Sequence, residues 1–182
     1  YYKDRIYEND GTGQFSLLNN CLPSNTASGS VVINADYDGD GDQDLFVGSR
    51  QIPGKYPSPA TSFILENVST NSGIKFKNLS QDDAPGLNEL GMVTSAVWDD
   101  FDEDEDLDLI VVGEWMSITF FNLHKGKFTI DSNAVDLKST VGWWNTIYPF
   151  DFDQQDQQLR NPCGEFHLMS STRHLPILEL CL

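Results

Sequence analysis

At 182 residues the chain is long enough to bury one core, and its formal net charge of −17 leaves no basic stripe for nucleic-acid phosphates or an anionic bilayer. With 39% hydrophobic and 12% aromatic residues it is too apolar to be a disordered acidic tail. No stretch approaches the ~18 apolar residues of a membrane span, so neither nucleic acid nor membrane insertion is expected.

In chain order, the first pattern is "IYENDGTGQF" (6–15): an apolar strand, an Asn-containing turn, Gly and a closing Phe. Then "SVVINAD" and "LFVGS" predict two strands around the acidic run "DYDGDGDQD", with Asp at 36, 38, 40, 42 and 44. "SFILEN" and "KFKNLS" supply two more strands, joined by a turn of the first kind. The set then recurs as "TSAVWDD", "DLIVVGEW", "SITFFN" and "KFTIDS", with Asp at 100, 102, 104, 106 and 108. A third start, "FDFDQQDQQL", begins at Asp151. The first-Asp spacings are 64 and 51 residues. From closing Phe to next acidic start the distances are 21, 24 and 23 (Phe15 to Asp36, Phe76 to Asp100, Phe128 to Asp151). Two landmarks that keep step through three cycles define a repeat.

Four short strands per repeat, without a sustained helical period, predict an all-β fold of four-stranded antiparallel β-propeller blades. A β-sandwich would not need its strands in matching sets of four. On this reading residues 1–153 form a partial propeller: a half blade at 1–20, blades at 29–80 and 91–137, and the start of another at 142–153. Closure takes about four to eight blades, so the chain is expected to be part of a larger propeller and to need neighbouring blades. Residues 154–182 read as a divergent tail with no blade strand. Cys21, Cys163 and Cys181 are odd in number and lack metal-ligand spacing.

Five carboxylates this close repel one another unless a cation holds them. A hard cation such as Ca²⁺ takes 6–8 oxygen ligands, and a tightly curled Asp-x-Asp-x-Asp loop offers several to one point. In the first loop Asp36, Asp38 and Asp40 would give side-chain oxygens, Gly41 the reversal, Asp42 its carbonyl, and Asp44 would close the site. An EF-hand needs an acidic residue at position 12, where Val47 and Val111 stand inside apolar strands. D-x-D-x-D-G-x-x-D followed by Leu and a strand, with Asn-Gly-Phe turns, resembles the calcium-binding FG-GAP/VCBS repeat of integrin α-subunit propellers and of many secreted or surface-attached bacterial proteins. The resemblance spans about residues 1–153. It implies Ca²⁺ at Asp36, Asp38, Asp40, Asp42 and Asp44 and at Asp100, Asp102, Asp104, Asp106 and Asp108. In the second loop Glu105 stands where the family has Gly; the third keeps Asp151 and Asp153, then has Gln155 and Leu159 at positions 5 and 9.

Glu66, Glu89 and Glu114 mark no catalytic pair, and no nucleophile elbow, zinc-protease motif or phosphate loop occurs. A non-catalytic role is expected: an extracellular, cell-surface or periplasmic scaffold for a protein or glycan partner. The competing expectation is the propeller part of a secreted carbohydrate-active enzyme such as a polysaccharide lyase. Trp98, Trp115, Trp143 and Trp144 are expected mainly as inter-blade core, although neighbouring Trp143 and Trp144 must face opposite sides of a strand.

Overall fold

The computed structural model describes residues 3–25, 27–79, 81–102, 104–131, 140–149 and 166–170, the last segment as backbone only. The Asn-Asp-Gly turn joins β1 (Ile6–Asn9) to β2 (Phe15–Leu18) as an antiparallel hairpin. The first acidic run joins β3 (Ser28–Ala35) to β4 (Asp44–Gln51), and β5 (Phe63–Asn67) and β6 (Phe76–Asn78) complete a four-stranded antiparallel sheet in chain order. The second set repeats the meander as β7 (Met92–Asp99), β8 (Asp108–Met116), β9 (Thr119–His124) and β10 (Lys127–Ile130). The fold is all-β, and its two complete sets of four strands are blades of the propeller kind, the second lying within a six-stranded sheet. Among the described residues the sheets close no barrel.

After these, β11 (Gly142–Pro149) pairs with the end of β8 and then with β12 (Phe166–Ser170). The strand β12 lies in the tail where the sequence shows no blade strand. It is short, and before it the sequence keeps only Asp151 and Asp153 of the acidic spacing, with Gln155 and Leu159 at positions 5 and 9, so no full repeat signal announces it.

Alternation along β8 explains how the blades stack. Leu109 and Val111 point to one face and join Phe46, Ile64, Val93, Phe121, Leu123 and Phe128 between the two complete blades. Ile110 and Val112 point to the other face and pack with Ile118, Phe120, Trp144 and Ile147. A strand covered on both faces needs a continuous apolar run, which is what "LIVV" is. Each such side chain contributes about 1.5–3 kcal/mol on burial.

A second repeat lies in the hydrogen bonds. The first strand of each set slips register at an equivalent residue: Ser30 against β4, Thr94 against β8 and Asn145 against β12. Each stands six residues before its acidic start, Asp36, Asp100 or Asp151. A β-bulge leaves its extra residue free to turn aside. Ser30 Oγ donates to Val93 O at 2.6 Å, and Thr94 Oγ1 donates to Trp144 O at 2.7 Å. The acceptors are again equivalent, each seven residues before an acidic start. The bulges therefore pin the first strand of one set to the first strand of the next. Thr94→Val keeps the shape and removes the donor, so it is expected to lower stability by about 1–2 kcal/mol. The urea midpoint measures this, and an unchanged midpoint would deny the bulge that role.

Candidate metal centres

Both acidic runs fold as tight loops between the first and second strands of a blade. In the first, Gly39 and Gly41 take φ of 74° and 95°, the left-handed region where glycine avoids the Cβ clash. Carboxylates organise the turn: Asp36 accepts from Gly41 N at 3.0 Å, Asp38 from Asp40 N at 3.2 Å and Asp40 from Asp42 N at 3.0 Å. One carboxylate oxygen from each of Asp36, Asp38 and Asp40 lies within 4.8 Å of the others.

The second loop has the same path. Asp100 accepts from Asp104 N at 3.1 Å and from Glu105 N at 3.2 Å, matching the Asp36–Gly41 bond. Glu105 adopts φ 73° where the first loop has Gly41 at 95°. A side chain held there costs on the order of 1–2 kcal/mol. The oxygens gathered within 4.8 Å are those of Asp100, Asp102 and Asp108.

The two clusters differ in membership. Asp44, Asp42 and, in the second loop, Asp104 and Asp106 lie outside these groups of three, whereas Asp108 lies inside. Asp102 is also held by Asn122 Nδ2 at 2.8 Å. Asp151 and Asp153 fall outside the described residues.

Position 9 of each loop is the most confined. Asp44 is 1% exposed and Asp108 fully buried. Asp44 Oδ1 accepts from Asn67 N at 2.7 Å, and Asp108 Oδ1 accepts from Leu123 N at 2.8 Å. Each carboxylate thereby ties the second strand to the third. The other oxygens, Asp44 Oδ2 and Asp108 Oδ2, are buried without a hydrogen-bond partner, as are Asp36 Oδ1 and Asp42 Oδ1. Burial pushes Asp44 up to about 6 and Asp108 up to about 7, against the opposing pull of those backbone amides. Burial and neighbouring carboxylates also raise Asp102 and Asp42. An all-oxygen donor set with orphaned buried lone pairs suits a hard cation.

Sequence reasoning missed the role of the third strand. Asn67 and Asn122 steady the loops, Asn67 also through Nδ2 to Gln43 O at 3.2 Å. The Asn of each "apolar strand–Asn turn" landmark was the visible signal. The tryptophans need a correction. Trp144 is buried in the second core cluster and Trp98 packs on the first, stacked at 6.2 Å on Tyr37, but Trp115 is 60% exposed. It leaves the core because it is the extra residue of a bulge.

The fold and loops together define a propeller of acidic-loop repeats. Residues 1–47, from the β1–β2 hairpin through the first acidic loop into β4, match the family model of the FG-GAP-like repeat, and the chain carries an FG-GAP-type repeat. No curated protein matches the chain.

The raised carboxylates set a pH dependence for the metal-free protein. Their folded values lie above the unfolded value of 3.8, so between about pH 4 and 7 the folded state binds more protons and stability falls as pH rises. In chelator, the melting temperature is expected to drop from pH 5 to pH 8. In Asp108→Asn, which stays neutral, the drop should be smaller. An equal drop in both proteins would mean Asp108 ionises freely.

Proposed function

We propose that this chain is a calcium-binding propeller segment that serves outside the cytoplasm as an interaction scaffold for a protein or glycan. The observation that carries the reading is the set of buried carboxylate oxygens left without partners in both acidic loops. Asp36, Asp38 and Asp40 would hold one ion, with Asp42 and Asp44 beside them. Asp100, Asp102 and Asp108 would hold another, with Asp104 and Asp106 beside them. Ca²⁺ fits better than Mg²⁺ because it accepts irregular all-oxygen shells, while Mg²⁺ demands near-octahedral geometry and dehydrates reluctantly. The ion would bring charge to carboxylates whose ionisation burial opposes, and binding would release their protons.

A location follows from affinity. Extracellular calcium modules bind at about 10⁻⁴–10⁻³ M, so such loops fill where calcium is millimolar and stay largely empty in a cytosol. A binding role, rather than catalysis, fits raised carboxylates that are engaged in closing loops and tying strands together.

At a hundredfold excess over its Kd, a ligand adds ~2.7 kcal/mol to a site's folded state. For a domain of this size that corresponds to roughly 5–10 °C in melting temperature. Ca²⁺ at about 10 mM, a hundredfold excess over a Kd of about 10⁻⁴ M, is expected to raise the melting temperature by that order, and Mg²⁺ by less. Equal melting in Ca²⁺ and in chelator would overturn the reading. The loops also differ in how they use position 5. Asp40→Ala removes a member of the first oxygen cluster and should weaken calcium binding there, whereas Asp104→Ala removes a residue outside the second cluster and should cost less. Calorimetry on the two single variants decides it, and equal losses would sink the ranking.

A further inference from the structure

The blade ends opposite the acidic loops carry a different chemistry. Strand β8 runs away from its acidic loop to Glu114, Trp115 and Met116, and β4 likewise to Arg50 and Gln51. On β8, Glu114 pairs with Trp143 and Met116 with Gly142, so Trp115 is the extra residue of a bulge. Its φ is 57°, a left-handed conformation that glycine adopts freely and a bulky side chain does not. The chain thus holds a tryptophan in strained backbone and leaves it 60% exposed. Local backbone preference does not account for that choice, and such outliers collect at functional sites.

Trp115 does not stand alone. Its ring lies 5.4 Å from that of Trp143 at 50°, and its Nε1 donates to Tyr56 OH at 3.4 Å. Tyr56, in the connection after β4, is 55% exposed. The half-exposed Arg50 is paired across the blades with buried Glu114, the residue before Trp115.

We propose that Trp115, Tyr56 and Trp143 form a platform that binds a neutral glycan by stacking a pyranose ring on the exposed indole. The electron-rich indole face attracts the positively polarised C–H groups of a sugar face, and the Tyr hydroxyl supplies an edge hydrogen bond. Full burial of an aromatic side chain covers ~150–250 Å², so three partly exposed rings fall short of the ~800 Å² per partner of a stable protein interface. Charge narrows the ligand further. An anionic glycan would meet a chain of net charge −17, a penalty that a neutral sugar avoids. This rests on the interaction-scaffold reading and names its partner, but it does not depend on calcium touching the ligand.

The test titrates the full chain, in saturating Ca²⁺, with cellohexaose, laminarihexaose, maltohexaose and mannohexaose, using tryptophan fluorescence and calorimetry. Oligogalacturonate and choline serve as charged controls. At least one neutral hexasaccharide should bind. Trp115→Gly should weaken it about tenfold or more, with no fall in melting temperature because the strain is relieved. Trp115→Phe should keep most of the affinity, and Tyr56→Ala provides an independent loss from a loop. Binding of none of the four, binding of the charged controls alone, or undiminished binding by Trp115→Gly would overturn the platform. If that happens while Ca²⁺ still raises the melting temperature, the scaffold reading survives without this site. If Ca²⁺ has no effect, the scaffold reading fails on its own account.

Discussion

Asp44 and Asp108 are carboxylates built into the sheet, each anchored by one oxygen to an amide of the third strand and left with the other oxygen buried and unmatched. An unsatisfied buried charge is among the costliest features a fold can carry. The surroundings show what makes it tolerable. The loop before each one curls so that neighbouring carboxylates face a common point, and amides at positions 5 to 7 are already bound to carboxylates of the same loop. A cation at that point would satisfy the orphaned oxygens and cancel the repulsion together. In the second loop, where Asp108 belongs to the oxygen cluster, the same carboxylate would then join metal, second strand and third strand, so that loop filling and blade stability become one equilibrium.

Much of this could be read in the residues. The alternation of apolar positions, the turn chemistry and the phase of two landmarks were enough to predict four-stranded blades, because those signals are local. The apolar run at 109–112 marked a strand buried on both faces. Local signals fail where a tertiary contact decides. Ser30 and Thr94 are unremarkable polar residues in sequence, and their shared role appears only when the bulges bring them to the next first strand. Glu105 stood where the repeat resemblance implies glycine, and the loop keeps the glycine backbone there with φ 73°.

The site was legible in its composition but not in its membership. Spacing alone names five Asp per loop and treats the two loops alike. The folded loops gather Asp36, Asp38 and Asp40 in one case and Asp100, Asp102 and Asp108 in the other. Trp115 is the clearest miss. Its sequence context, the last stretch of an apolar strand, argues for the core, and only the bulge opposite Gly142 and Trp143 turns it outward. Antiparallel topology then divides the labour: acidic loops at one end of the blades, exposed aromatics at the other.

Counting ions tests the central claim most directly. Equilibrium dialysis against radioactive calcium should find bound Ca²⁺ on the purified chain, with one ion lost in Asp36→Asn, one in Asp100→Asn and both in the double variant. Retention of no calcium by the unaltered chain, or the same ion count in all four proteins, would contradict the account.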